Sequence, residues 1–538
     1  MAVLPKSLIL AGLVSTAVAW SPVPRGPAPE GGGLPSDSVE RARALHALNR
    51  LTFGPRAGDV DRVVALGVDR YIDQQLAAER IDDGLVERRL ARFDVLRLSS
   101  EELARIYLEE QRARRQRQQA GGRDSAAEEP QMPQMPQGRQ LPRARRLAGE
   151  LQQATMVRAT LSERQLYEVM VDVWSNHFNV FMGKGADRFL VPDYIERTIR
   201  PHAMGKFEDL LVATARSPAM LFYLDNVQSV APGSRPPGRA RAGERLPVGL
   251  NENYARELME LHTLGVDGGY TQQDVINVAR ILTGWSMTPP PRGARFVFHH
   301  WAHDRGAKIV LGRTFPAGRG QEEGLELLTL LARHPSTMRH VSAKLCARFL
   351  ADDPPDGCID AGVQAWERTG GEIREILRAI FRSNEFWAPA YRGAKVKTPL
   401  EFVVSAVRAV GGVPDSTLAL AQLVGRLGQP LYLQPAPTGY PETQESWVNS
   451  GALLERLNVA MGLAAGRAPG VALNLEALIA SWADAAQLAE LVNRRILSGG
   501  ASRNTLRVIQ EQTASLAPAQ ARMMAVGLAL GSPEFQRQ

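Results

Sequence analysis

The sequence predicts a mainly α protein, a large single-domain, bundle-like array of helices with one short β-hairpin near 295–312. Three observations carry that expectation. Apolar residues recur at three- and four-residue spacing along most of the chain, strand-like segments are confined to one short region, and no repeat of solenoid type is present. At 538 residues, 44% of them hydrophobic, the chain is long enough to bury a sizeable core.

The N-terminus reads as an export signal. Lys6 precedes an apolar run over 7–16, and Ala17-Val18-Ala19 has the small residues of a cleavage site, so 1–19 is expected to be removed. No later stretch is apolar enough to span a bilayer, so no membrane span is expected after cleavage and the mature chain is placed in the periplasm or outside the cell. A Pro/Gly-rich leader occupies 20–37, the main domain 38–465, and further helices packed on the same domain 466–538. Within the domain, helical periodicity starts near Ser38, stops at Phe53-Gly54-Pro55, and resumes in short pieces before a long periodic stretch over 81–117. Two Arg-rich tracts, near 111–143 and 231–246, read as disordered insertions. Ser162 and Gln165 have capping-box spacing ahead of a helix whose apolar face carries Trp174, His177 and Phe178. Residues 295–298 and 308–311 read as the strands of the hairpin, flanking His299, His300, His303 and Asp304, and helices are expected again at 322–332, 335–349, 372–381, 399–410 and 418–427.

The formal net charge of +7 suggests an anionic partner until its location is considered. Nine arginines against three acids fall in 111–146, leaving the rest close to neutral, and a solvated charged tract of that kind does not make a nucleic-acid surface. Export would allow Cys346 and Cys358 to form a disulfide; two free buried thiols are the alternative. Serine-hydrolase, P-loop, dinucleotide, Cys-x-x-Cys and haem-attachment motifs are all absent.

The densest set of reactive groups lies in 251–285. At 100° per residue Asn253, Arg256, Glu257 and Glu260 share one helix face, with Tyr254, Leu258, Leu261 and His262 on another. Gly265 is placed to end that helix, and Thr271 with Asp274 to cap the next. The polar stripe is either a surface charge network or a catalytic group, with Glu257 as general base and Arg256 and Glu260 beside it. His177 and His262 sit on apolar faces, where a core role competes with metal ligation. With His303 and Asp304 they are the candidate ligands for one divalent transition metal, zinc, iron or manganese.

Leu48-Asn49-Arg50-Leu51-Thr52-Phe53-Gly54-Pro55, Trp174-Ser175-Asn176-His177-Phe178, and segments 200–207, 219–226, 251–285, 303–312, 344–349 and 437–449 give the chain a resemblance to a bacterial family of exported proteins, domain of unknown function 1800. The resemblance implies a largely helical exported protein without an assigned reaction. Members are often encoded beside a second exported family resembling sulfatases and alkaline phosphatases, which implies a partner of that kind. Two functions are therefore carried forward: a non-catalytic partner or scaffold for a secreted sulfatase- or phosphatase-like protein, and a metal-dependent extracytoplasmic hydrolase built on the His/Glu/Asp set.

Overall fold

The computed structural model describes residues 36–121, 143–235, 249–415, 417–468 and 470–538; the signal segment, nearly all of the leader and most of both Arg-rich tracts lie outside the described residues. From Glu40 to Gln538 the chain forms one contact unit of packed helices, with three two-stranded ladders as its only sheet structure among the described residues. The mainly α expectation holds. A single large apolar cluster runs through the unit, and a small satellite of Val86, Phe93, Ala154 and Val157 sits beside it.

Several local expectations change. The periodic stretch 81–117 is not one helix: Gly84–Leu90 and a 3-10 turn at Asp94–Leu96 precede Ser100–Gly121. The break has a local cause, since Ser99 and Glu102 form a reciprocal cap in which the Glu102 N–H donates to Ser99 Oγ and the Ser99 N–H to Glu102 Oε2. That new helix carries 111–121, so the first part of the expected insertion is helical. The capping box at Ser162 is not formed. Ser162 Oγ donates to Asp83 at 2.7 Å, and the Gln165 amide turns back to the Ala159 and Ser162 carbonyls. The Thr271–Asp274 capping box is present, and Gly265 takes the positive φ (85°) of a helix stop.

The one hairpin expected near 295–312 is two. Phe296–Phe298 pairs with Trp285–Met287, and Lys308–Val310 pairs with Arg313–Phe315. Leu311 and Gly312, at φ 50° and 77°, make the two-residue turn whose twist suits adjacent antiparallel strands, so 308–310 pairs with 313–315 rather than with 296–298.

Helices appear close to the expected bounds at Gln321–Ala332, Pro335–Phe349, Ile373–Arg382, Pro399–Ala409 and Ala419–Arg426. Asp356–Thr369 is an additional helix. It carries Cys358, bonded to Cys346 of Pro335–Phe349, so the disulfide joins two helices. Cross-linking two positions 12 residues apart removes unfolded-state entropy worth roughly 3 kcal/mol. Cys346→Ser/Cys358→Ser is expected to lower the denaturant midpoint by about that free energy while leaving the far-ultraviolet circular dichroism helical; an unchanged midpoint would show that helix packing alone holds the pair.

Candidate functional site

The residues singled out in 251–285 separate. Asn253–Glu257 is α-helical, but Leu258–Thr263 widens into a π-helical turn, which re-aims the side chains after Glu257. Arg256 reaches Glu252 Oε2 at 3.4 Å and Gln272 Oε1 at 3.0 Å, and Gln272 donates to Glu252. These form a network at the protein surface. Glu257 and Glu260 are half-buried neighbours of like charge; burial and then Glu260 raise the Glu257 carboxyl above its ordinary value, against Arg256.

The four expected metal ligands do not assemble. His177 and His262 adjoin, with ring centroids 6.1 Å apart and His177 Nε2 3.1 Å from the His262 carbonyl oxygen. His303 and Asp304 are committed elsewhere. His303 Nδ1 lies 2.9 Å from the Thr283 carbonyl and its Nε2 3.0 Å from Glu323 Oε1, which also meets Lys308 Nζ at 2.5 Å. Asp304 takes two bonds from Arg280, at 2.8 and 3.1 Å. Both lock the loop between the hairpins onto Gln272–Ile281 and Gln321–Ala332. Among the described residues no three His, Cys, Asp or Glu side chains are grouped as metal ligands.

The chemistry concentrates instead in a cavity of about 900 Å³, counting its open mouth. One wall is the Gln165–His177 helix, which turns Glu168, Asp172, Ser175 and Asn176 inward, with Asn179 just beyond its end. The others include Arg158 of Arg143–Leu161, Arg348 of Pro335–Phe349, Glu401 of Pro399–Ala409, and the connector at Tyr440-Pro441-Glu442. Asn176 fixes that connector in register, donating to the Tyr440 carbonyl at 2.9 Å while its Oδ1 accepts the Tyr440 N–H at 2.7 Å. Gly439 (φ 73°) has to be glycine, because a Cβ there would stand 2.4 Å from the Asn176 carbonyl oxygen. Asn179 holds the same connector through the Gln434 and Ala436 carbonyls.

Most charges on the walls are paired. Arg200 grips Glu168 with two bonds, 2.8 and 2.7 Å, and Arg158 grips Glu196 at 2.5 and 2.9 Å. Arg348 Nη2 lies 2.5 Å from Glu401 Oε1. Burial works against the Glu401 carboxylate, but Arg348, the Gln538 amide and the Thr398 N–H hold its pKa below the usual range.

Two groups depart from this pattern. Arg348 is only 4% exposed, yet its Nη1 has no hydrogen-bond partner. Asp172 makes no hydrogen bond or ion pair with another described residue, and burial lifts its carboxyl to about 7, against the pull of Arg348 and with help from the charges of Glu442 and Glu401. A carboxyl group that changes protonation near neutrality, beside a guanidinium with a free donor, can move a proton while an anionic group is held in place.

These features define a mainly helical protein with a cavity lined by charged and polar side chains. The chain matches the family described as Protein of unknown function (DUF1800) over residues 46–537 and belongs to it. No curated protein and no solved structure matches the chain. Five of the sequence segments that carry the resemblance supply cavity residues: Phe53, Ser175 with Asn176, Arg200, Arg348, and Tyr440 to Glu442. The 251–285 stretch supplies none.

The buried charges make two stability differences measurable. Lys308→Met would leave the Glu323 carboxylate buried without its ammonium, and is expected to cost about 3–5 kcal/mol in chemical denaturation. Asp172 has a folded pKa above its unfolded one, so the folded state holds this proton where the unfolded state has lost it. Its contribution is complete below about pH 4 and is lost as pH rises through about 7. Asp172→Asn should therefore gain stability over the native protein by a few kcal/mol at pH 8; parallel stability curves from pH 4 to 8 would refute the assignment.

Proposed function

We propose that the protein is an exported acid–base catalyst acting on a small polar substrate that carries a carboxylate, sulfate or phosphate group, bound in the Asp172 cavity. The carrying observation is Asp172, a carboxyl group without hydrogen-bond or ion-pair partners among the described residues, on a polar cavity wall, with its pKa at about 7. Arg348 Nη1 is the donor left over to hold the anionic group, and a guanidinium in a buried site binds such groups strongly. Asp172 gives or takes the proton. Glu442, also on the wall, supplies a second carboxylate whose charge helps Asp172 keep its proton. Proton transfer by side chains replaces metal-activated water in this reading, since the ligand set expected for a metal is dispersed. Export is supported by the signal-like N-terminus and by the Cys346–Cys358 bond, which survives in oxidising compartments.

A second reading, a non-catalytic partner of an exported sulfatase- or phosphatase-like protein, is supported by the surface network of Glu252, Arg256 and Gln272 together with Val266, a large apolar residue left 70% exposed.

A thermal-shift screen of soluble carboxylates, sulfate esters and phosphate esters tests the first reading. Ligands that stabilise the native protein should lose at least about tenfold in affinity with Arg348→Lys, which keeps a charge opposite Glu401 but lacks the planar fork. Asp172→Asn should bind them nearly as well and turn over any reactive one roughly 100- to 10,000-fold more slowly. Full turnover by Asp172→Asn would sink the acid–base role. A screen without hits, together with capture of a sulfatase-like protein that Val266→Glu abolishes, would favour the partner reading.

A further inference from the structure

Of the 64 lysines and arginines in the chain, only seven are lysines. Arginine keeps its proton at neutral pH, whereas a lysine can lose it, so the few places where this chain uses lysine are places where an amine could react. Lys6 lies outside the described residues. Lys184, Lys308 and Lys395 are ion-paired, to Asp225, Glu323 and Asp352. Lys397 is buried and donates to the Phe535 carbonyl at 2.8 Å, and Lys206 is exposed. Lys344, like Lys206 and Lys397, has no carboxylate within ion-pair distance among the described residues, but it alone meets an imidazole, its Nζ lying 3.2 Å from His177 Nδ1.

The His177 ring can play only one part there. Its Nε2 faces the His262 carbonyl oxygen at 3.1 Å, so that nitrogen carries the hydrogen and Nδ1 is left as an acceptor for the Lys344 amine. His262 and His340 complete the surroundings. Burial, and then the nearness of Lys344, pushes His262 down to about 3 and His340 to about 4, and drives His177 down as well, so three neutral imidazoles face the amine. Burial lowers the Lys344 pKa too, with the Glu442 carboxylate pulling the other way. Solvent nevertheless reaches the Lys344 side chain. One helical turn further on, on the same face of Pro335–Phe349, stands Arg348 with its unpaired Nη1.

We propose that Lys344 is a nucleophilic amine that forms an imine with a small carbonyl compound bearing a carboxylate, the carboxylate being held by Arg348. The Nζ lone pair attacks the carbonyl carbon to give a carbinolamine. The carbon–oxygen bond then breaks, and the oxygen leaves as water with the two hydrogens lost by the amine, so the step needs no oxidant or reductant. His177 Nδ1 aims the amine by accepting one N–H. The inference shares Arg348 with the function proposed above and does not depend on Asp172.

Reductive trapping tests it directly. The full chain is incubated with pyruvate and cyanoborohydride at pH 7 and mapped by peptide mass spectrometry. The expected result is one adduct, at Lys344, formed at least tenfold faster than at exposed Lys206, and absent from Lys344→Arg. Arg348→Lys should raise the pyruvate concentration needed for half-maximal labelling of Lys344 severalfold. Equal labelling of Lys206 and Lys344, or none at Lys344, overturns the proposal on the native protein alone, whatever the variants do. Labelling reads the amine itself, so this result stands apart from any turnover that depends on Asp172.

Discussion

The Arg348–Glu401 pair is the interaction on which the cavity depends. It joins Pro335–Phe349 to Pro399–Ala409 through two buried side chains, and neither partner is tolerable there alone, because an isolated charge costs several kcal/mol to desolvate. Glu401 is held from several directions. It completes the capping box of its own helix with Thr398 and accepts from the Gln538 amide, so the carboxylate is immobile and Arg348 is positioned by it. The guanidinium Nη1 remains without a hydrogen-bond partner, and the two charges of the pair add smaller, opposing pulls to the burial that raises the Asp172 carboxyl.

Elsewhere the chain handles buried charge differently. Arg50 donates to the Leu350 and Tyr391 carbonyls, Arg408 to those of Gly54 and Thr160, and Arg456 to that of Lys397 and to the Gln536 side chain. Each guanidinium ties its own helix to oxygens of segments far off in sequence, most of them backbone carbonyls that a core with almost no sheet has few other means to satisfy. Burial pulls Arg50 and Arg408 down to about 9 and Arg456 to about 10, still high enough to keep them charged at neutral pH. These arginines are structural pins, and the cavity is where the same chemistry is left open.

The helical class was legible because its signal is local and repeated. The late helices could be read within a residue or two, as could the Thr271–Asp274 cap, since both depend on spacing alone. Pairing was not legible: which strand 308–310 would meet depended on the backbone of Leu311 and Gly312, and where Ser162 would point depended on Asp83, far off in sequence. The site was half legible. Glu168, Asp172, Ser175 and Asn179 recur at helical spacing opposite the Trp174–His177 face, a polar stripe as regular as the one at 253–260. Histidines and carboxylates drew attention to 251–285, but composition does not tell a surface stripe from one that lines a cavity. Arg348, Glu401 and Glu442 come from separate parts of the chain and meet only in the fold.

The contact between Gly439 and Asn176 bears on how the cavity can vary. The connector rests against the helix with only Asn176 between them, so the gap is set by the Asn176 carbonyl and amide against the bare Gly439 Cα. Any larger residue at 439 would act as a wedge, tilting Tyr440 and Glu442 away together and widening the mouth without altering a single charged group. The depth of the cavity is thus governed by a position that has no functional group of its own, and a change there would resemble a chemical defect while being one of spacing.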